Sequence, residues 1–144
     1  LVRWLLKQEE RMGLHTPAPY QDFQQRVFRH RDDLRELLRA LRRGGARIMA
    51  QGASTKGNVL LQFCGIGPEE IEAIGEVNPD KFGCVTPGSN IPIIPEAEVR
   101  AAKPDYVVVL PWHFRDGFIA REAEYLNSGG RLIFPLPEIE IFGY

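Results

Sequence analysis

The sequence is short of cysteine, of long apolar runs and of net charge, and each shortage excludes a class of protein. Two of its 144 residues are cysteine, Cys64 and Cys84, and its three histidines are scattered, so no spacing suits a zinc site and little suggests a disulfide. No apolar stretch approaches the roughly 20 residues that span a bilayer, and no signal-peptide pattern opens the chain. The net charge of -1 gives no field that would attract nucleic acid. We therefore expect a cytoplasmic protein with no metal in these residues, and with neither a membrane nor a nucleic acid as partner.

The length allows one domain with a proper core. The chain begins at Leu1 rather than methionine, and "LVRWLLKQEERMG" has a helical pattern from the start, with Leu1, Leu5 and Trp4 on its apolar face. We expect residues 1–16 to be a helix and linker that continue from a preceding domain, although trimming of a short tag would also explain the start. Residues 17–144 are predicted to form the domain itself.

A long amphipathic helix is predicted from Tyr20 to Arg43, because apolar residues recur every three or four positions until Gly44 and Gly45 end the pattern. The apolar stripe consists of Phe23, Val27, Leu34, Leu38 and Leu41. The helix is rich in arginine, which is typical either of a face for an acidic partner or of a solvated face. Interleaved carboxylates, such as Asp32 and Glu36, favour the solvated face.

After Gly45, strand-like and helix-like segments alternate. The predicted strands are "ARIMAQ", "IEAIGEV", "NIPIIP", "DYVVVLPW", "RLIFPLP" and an edge strand "EIEIFG", and the predicted helices are "KGNVLLQFCG", "PEAEVRAA" and "RDGFIAREAEYLNSGG". The central strands are apolar on both faces, as strands covered by helices on both sides are. The pattern predicts an α/β, Rossmann-like doubly wound fold with a mostly parallel sheet, preceded by the long helix.

Two unusual loops follow the first and the fourth predicted strands. In a sheet of order 3-2-1-4-5 these strands are neighbours, and ligands bind at the carboxyl ends of the strands where the order reverses. The loops "GASTKGN" and "PWHFRDG" should therefore line one cleft.

The first loop has a composition that suits phosphate. Gly52 permits a sharp turn, Gly57 permits close approach, and Lys56 adds a full charge beside the amides that open the next helix. The whole candidate phosphate loop is Gly52, Ala53, Ser54, Thr55, Lys56, Gly57 and Asn58. It is neither a Walker A loop nor a complete G-x-G-x-x-G, and an ordinary tight turn would also explain it.

Other candidate ligand contacts follow the second and fourth strands. Glu76 ends the second strand, where Rossmann proteins hold a ribose or sugar hydroxyl, although a solvated strand end is an equal alternative. Pro87 and Gly88 lie in a predicted turn that structure alone would explain.

The loop after the fourth strand, "PWHFRDG", offers two kinds of ligand contact. Trp112 and Phe114 are suited to stacking on a base or sugar, and His113 and Arg115 to meeting phosphate. The aromatic side chains would equally serve to anchor the next helix. No residue has a sequence-adjacent partner that indicates proton transfer, so no catalytic residue is predicted.

Several of these motifs together resemble a known family. "RDDLRELL", "GASTKGN", "NPDKFG", "PGSNIPI", "DYVVVLPWHFRD" and "GGRLIFPLP" are similar to the C-terminal domain of S-adenosylmethionine-dependent NDP-sugar C-methyltransferases. The resemblance runs from about residue 10 to the end, and the combination of motifs is specific.

The resemblance implies a Rossmann-like domain preceded by a zinc-binding domain and by a domain that binds the methyl donor. It implies methylation of a nucleotide-linked keto sugar, such as a dTDP-sugar, through an enolate that attacks the sulfonium methyl. The sugar nucleotide would lie between the middle and C-terminal domains, with its phosphates at residues 54–58. Glu76 stands where the family commonly has aspartate, and Gly117 where an acidic residue is common.

The resemblance assigns the zinc ligands, the methyl-donor site and the catalytic base to the preceding domains. This chain would therefore bind the substrate without methylating it alone. Two alternatives stay open at this point, an independent nucleotide or dinucleotide binder, and a docking module that binds no small molecule.

Overall fold

The computed structural model describes residues 1–143, which form one six-stranded sheet with helices on both faces. The strands are β1 (Ile48–Gln51), β2 (Ile74–Glu76), β3 (Ile93–Pro95), β4 (Tyr106–Val109), β5 (Arg131–Phe134) and β6 (Glu140–Phe142). The α-helices are α1 (Val2–Arg11), α2 (Ala18–Arg43), α3 (Thr55–Cys64), α4 (Glu96–Ala102), α5 (Arg115–Arg121) and α6 (Ala123–Asn127). Short 3₁₀ turns lie at Pro79–Lys81 and Trp112–Phe114.

The strand order is β3-β2-β1-β4-β5-β6, with the first five strands parallel and β6 antiparallel to β5. This confirms the predicted Rossmann-like, doubly wound fold, and it shows that the edge strand runs antiparallel to its neighbour. It also makes β1 and β4 neighbours, with Ala50 paired to Val108. The order therefore reverses at β1, and the loops after β1 and β4 leave the same edge of the sheet.

The apolar strands pack on both faces because successive side chains of a strand point to opposite sides. Ile48 and Ala50 of β1 face a core that includes Leu61 of α3, whereas Met49 faces a second core that includes Val99 of α4. The continuous apolar runs in the sequence thus reflect two cores, one on each side of a buried sheet.

Only the second half of α2 packs on the sheet. Leu34 and Leu38 are fully buried, whereas Phe23, in the same predicted stripe, is 59% exposed. The helix α1 has no buried residue, and its predicted apolar face, with Trp4 and Leu5, is exposed. The periodic pattern identified both helices but not how much of each contacts this domain.

Five of the seven arginines of α2 form ion pairs with carboxylates of residues 1–143. Arg39 Nε lies 2.8 Å from Glu70 Oε1, and Arg42 Nη1 lies 2.8 Å from Glu72 Oε1. Both carboxylates belong to the segment that leads into β2. These pairs join the helix to the sheet and neutralise part of its positive face.

The predicted helix after β4 is interrupted. A 3₁₀ turn comes first, and α5 and α6 are separated at Glu122, which adopts φ -97° and ψ 21°. The Glu122 side chain is 3% exposed and contacts Arg100 and Arg121, so the break directs a carboxylate inward.

Within residues 1–143, no helix combines the length and the apolar character needed to cross a membrane. The division of the chain at residue 16 stays a prediction.

Candidate functional site

A cleft of about 400 Å³ lies at the carboxyl ends of β1, β2 and β4. Its walls are Gln51, Gly52, Ala53, Ser54, Gly75, Glu76, Val77, Lys81, Glu96, Pro111, Phe114, Phe118 and Arg121. This is the position at which the topology predicts ligand binding in a doubly wound sheet.

The loops after β1 and β4 are in direct contact at this cleft. Gly52 adopts φ +84°, and a Cβ atom built there would lie 2.4 Å from Cγ of Pro111. Only glycine allows both the positive φ and the close approach. The juxtaposition expected from the strand order is therefore present, and it depends on a residue without a side chain.

The amino terminus of α3 presents unpaired amides beside the cleft. Ser54 is the N-cap, and its Oγ accepts a hydrogen bond from the Gly57 amide at 3.1 Å. The Ser54 amide donates to the Gly52 carbonyl at 2.7 Å. Within residues 1–143, the amides of Thr55 and Lys56 have no protein acceptor, as is usual in a first helical turn. These two donors and the helix dipole favour an anion here.

Gly57 brings α3 close to β4. A Cβ atom at this position would lie 2.9 Å from Cβ of Leu110 and 3.2 Å from Ser54 Oγ. The second glycine of the loop thus has a packing role in addition to any role toward a ligand.

The remaining residues of the candidate phosphate loop are divided between the cleft and the surface. Ala53 and Ser54 form part of the cleft wall, whereas Thr55 and Lys56, which follow Ser54 on the first turn of α3, are exposed and do not line it. Asn58 is half-buried, and its Oδ1 has no hydrogen-bond partner within residues 1–143. Lys56 would therefore reach a ligand from the rim rather than from the floor.

Glu76 forms the end of the cleft at β2. Its Oε1 accepts hydrogen bonds from the amides of Val77 at 2.8 Å and Asn78 at 3.2 Å, and its Oε2 lies 3.1 Å from Lys81 Nζ. Burial raises the pKa of Glu76, but the two amides and the Lys81 charge together hold its pKa below the ordinary value. The carboxylate is therefore ionised. Oε1 already accepts two hydrogen bonds, whereas Oε2 has one donor and keeps capacity for a second.

Pro87 and Gly88 lie against α3 instead of in the cleft wall. Gln62 Nε2 donates to the Pro87 carbonyl at 2.8 Å, and a Cβ atom on Gly88 would lie 3.0 Å from Gln62 Cδ. Both residues have a structural role in this position.

The side chains of the loop after β4 are divided between two grooves. Phe114 is 63% exposed and lines the cleft. Trp112, which packs against both cores, lines a second groove of about 700 Å³ with His113 and Arg115. Arg115 Nε lies 2.8 Å from Glu140 Oε2, and this pairing raises the pKa of Arg115. A phosphate at Arg115 would compete with that carboxylate.

A charge cluster at the wall of the cleft, with buried carboxylates and exposed arginines, was not predicted from the sequence. Arg121 Nη2 lies 2.8 Å from Glu96 and 3.0 Å from Gln51 Oε1, and Arg121 Nε lies 3.0 Å from Glu122 Oε1. Arg100 contacts the same two carboxylates. The only sequence signal was indirect: Gln51 and Glu96 are polar residues at a strand end and a helix start, where side chains reach the carboxyl edge.

Comparison with known proteins identifies the family. The family described as the C-methyltransferase C-terminal domain matches residues 1–137. The chain belongs to this family. The C-methyltransferase NovU of Streptomyces niveus is 37% identical over 137 residues, which are 95% of this chain and 33% of the relative. The chain thus spans about a third of the length of this curated relative, and the predicted resemblance is confirmed.

Among residues 1–143, no group of three or more His, Cys, Asp or Glu side chains is placed to hold a metal ion. The charged side chains at the cleft are instead paired with one another.

The charge cluster gives the domain an acid-sensitive element. Burial raises the pKa of Glu122, but Arg100 and Arg121 together hold its pKa below the ordinary value of 4.5. A carboxylate with a lowered pKa stabilises the folded state above the unfolded pKa, and this contribution is lost as pH falls through the folded one. Glu122→Gln should lower the free energy of unfolding by about 1–3 kcal/mol at pH 7, since it removes charged hydrogen bonds.

The difference between wild type and Glu122→Gln should shrink as pH falls from about 5 to 3. Urea denaturation at a series of pH values measures it, with Glu124→Gln, which alters an exposed carboxylate in α6, as control. A difference that is constant across this pH range would show that the ionised form of Glu122 contributes nothing.

Proposed function

We propose that this chain is the nucleotide-sugar-binding domain of an S-adenosylmethionine-dependent sugar C-methyltransferase, and that it binds the substrate without methylating it alone. The methyl donor supplies the transferred methyl group. The resemblance assigns that donor, the zinc site and the catalytic base to preceding domains. The contribution of this chain is then to hold and orient the substrate.

The observation that carries the proposal is the arrangement at the start of α3. Two amides without protein acceptors in residues 1–143, the positive end of a ten-residue helix and the Lys56 charge lie at the rim of a cleft at the switch point of the sheet. Such an arrangement favours a phosphate group. Membership of the C-methyltransferase C-terminal domain family makes a nucleotide sugar the candidate anion.

In this proposal the pyrophosphate lies on the Thr55 and Lys56 amides, and the rest of the ligand extends along the carboxyl edge toward Glu76 or Phe114. Both residues line the cleft beside Ser54. The preceding domain covers the open side of the cleft and brings the methyl donor to the sugar.

A docking module without a ligand is the second candidate, and one observation favours it. Large apolar side chains of α1 and of the first half of α2 are exposed, among them Trp4 (59%), Phe23 (59%) and Phe28 (41%). Such a surface is typical of contact with another domain. Docking and ligand binding use different faces, so docking alone would leave the cleft unused.

Thermal stability measured with a panel of nucleotides tests the proposal. A ligand that binds only the folded state raises the melting temperature. We expect dTDP and dTDP-glucose to stabilise the chain and NAD to have no effect. Stabilisation by NAD alone would indicate an independent dinucleotide binder. No shift with any ligand at millimolar concentration, in this chain or in a longer protein that carries it, would favour the docking module.

A further inference from the structure

The wall of the cleft opposite α3 contains a cation that is fixed in place. The Arg121 guanidinium is held by Glu122 through Nε and by Glu96 and Gln51 through Nη2, at 2.8–3.0 Å. Its Cζ lies over the ring of Phe118, 4.3 Å from the ring centroid. Within residues 1–143, Nη1 is the one nitrogen of this group without a protein partner. Arg121 therefore offers a preorganised donor at the cleft wall.

The balance of charge in the cleft indicates what kind of acceptor suits this donor. The charged side chains of the wall are Glu76 and Glu96, with Lys81 and Arg121, and each cation is already paired with a carboxylate. A phosphate group inside the cleft would lie near two carboxylates, which are only 10% exposed. The two cations and two carboxylates of the wall give no net positive charge to attract it. Repulsion between like charges at short range disfavours that position.

Hydroxyl groups suit the same wall well. A hydroxyl donates to a carboxylate and accepts from a guanidinium, so paired charges can bind it without a change in net charge. The wall also includes the exposed ring of Phe114. Apolar rings with a few placed polar groups are usual in sites for small uncharged ligands.

We propose that the cleft binds an uncharged, oxygen-bearing ring of the ligand, with Arg121 Nη1 donating to one of its oxygens and the phosphates lying outside, at the start of α3. This inference rests on the proposed function. It assigns Arg121 as a specificity-determining residue and separates the ligand into a charged part at α3 and an uncharged part in the cleft. The ring is either that of the nucleoside or that of the sugar that accepts the methyl group.

The experiment compares Arg121→Met with Arg100→Met in this chain. Arg100 pairs with the same two carboxylates and has the same 43% side-chain exposure, but it does not line the cleft. We expect both variants to lose similar stability, and only Arg121→Met to weaken dTDP-glucose binding, by about tenfold in titration calorimetry. Equal weakening in both variants would show that the cluster acts only through the fold, and would overturn the proposal.

Pyrophosphate and dTDP complete the test. Arg121→Met should leave competition by pyrophosphate unchanged, whereas Lys56→Ala should reduce it. If Arg121→Met also loses dTDP affinity, the ring in the cleft belongs to the nucleoside. If only dTDP-glucose is affected, the ring is that of the sugar. An equal loss of pyrophosphate binding in Arg121→Met would overturn the assignment to an uncharged ring. If Arg121→Met binds dTDP-glucose with wild-type affinity, the role of Arg121 is overturned and the proposed function stands. If the wild-type protein does not bind dTDP-glucose, both the role of Arg121 and the proposed function are overturned.

Discussion

Lys56→Ala is expected to weaken the binding of a nucleotide sugar by roughly one to two powers of ten, since a charge-assisted contact to phosphate contributes about 1.5–3 kcal/mol. Lys56 is exposed on the first turn of α3, beside two amides without protein acceptors in the described residues 1–143. Its charge therefore adds to that of the helix dipole at one point. Titration calorimetry with a dTDP-sugar measures the effect, in the longer protein in which both sides of the cleft are expected.

The controls for Lys56→Ala separate binding from folding. Lys56→Arg should recover part of the affinity, because it keeps the charge but changes its reach. The melting temperature should barely move, since an exposed lysine contributes little to a core. Lys7→Ala removes another exposed lysine, in α1, and should leave binding unchanged. If Lys56→Ala binds the nucleotide sugar with wild-type affinity, or if the variant is unfolded, Lys56 is structural and the loop is a tight turn.

Gly52→Ala is expected to lower the free energy of unfolding by about 2–6 kcal/mol. A side chain at φ +84° is strained by about 1–3 kcal/mol, and the new Cβ would overlap Pro111, with a further 1–3 kcal/mol from overpacking. Relief of the overlap requires the loops after β1 and β4 to move apart. The substitution should therefore also weaken nucleotide-sugar binding at the cleft.

Gly45→Ala provides a matched control for this effect. Gly45 has φ +87°, and a Cβ atom there would have no neighbour within 4 Å. It carries the conformational strain without the contact to Pro111. Chemical denaturation of both variants gives the difference, which we expect to be at least about 1 kcal/mol. Equal destabilisation would mean that the two loops do not press against each other in solution.

The fold class could be predicted from the sequence, and the strand order assumed for that class agrees with the structure. Runs such as "DYVVVL" are apolar on both faces, which requires helices on both sides of the sheet, and parallel crossovers then restrict the topology. The positions of Gly52, Ser54, Glu76 and Phe114 at the cleft follow from that topology. The boundaries of the elements were predicted less well. The strand β2 is shorter than predicted, and the single helix predicted after β4 is divided into α5 and α6.

The other wall of the cleft could not be predicted, because its contacts join distant parts of the chain. Arg121 meets Gln51 across 70 residues, and Arg100 meets Glu122 across 22. No local pattern indicates which arginine is fixed in a cleft and which lies on a surface. Lys81 likewise reads as part of a turn, and only the fold brings it to Glu76 and to the Ala53 carbonyl.

The most direct test of the central claim is a map of amide chemical shifts of this 144-residue chain as dTDP-glucose is added. Magnetic resonance detects weak binding, so it works even if part of the site belongs to a preceding domain. The account predicts that the largest shifts occur at residues 52–58 and 76–78 and at Phe114 and Arg121, while α1 is unaffected. Shifts confined to α1 and the first half of α2, or none at millimolar ligand, would contradict nucleotide-sugar binding at the carboxyl edge of the sheet.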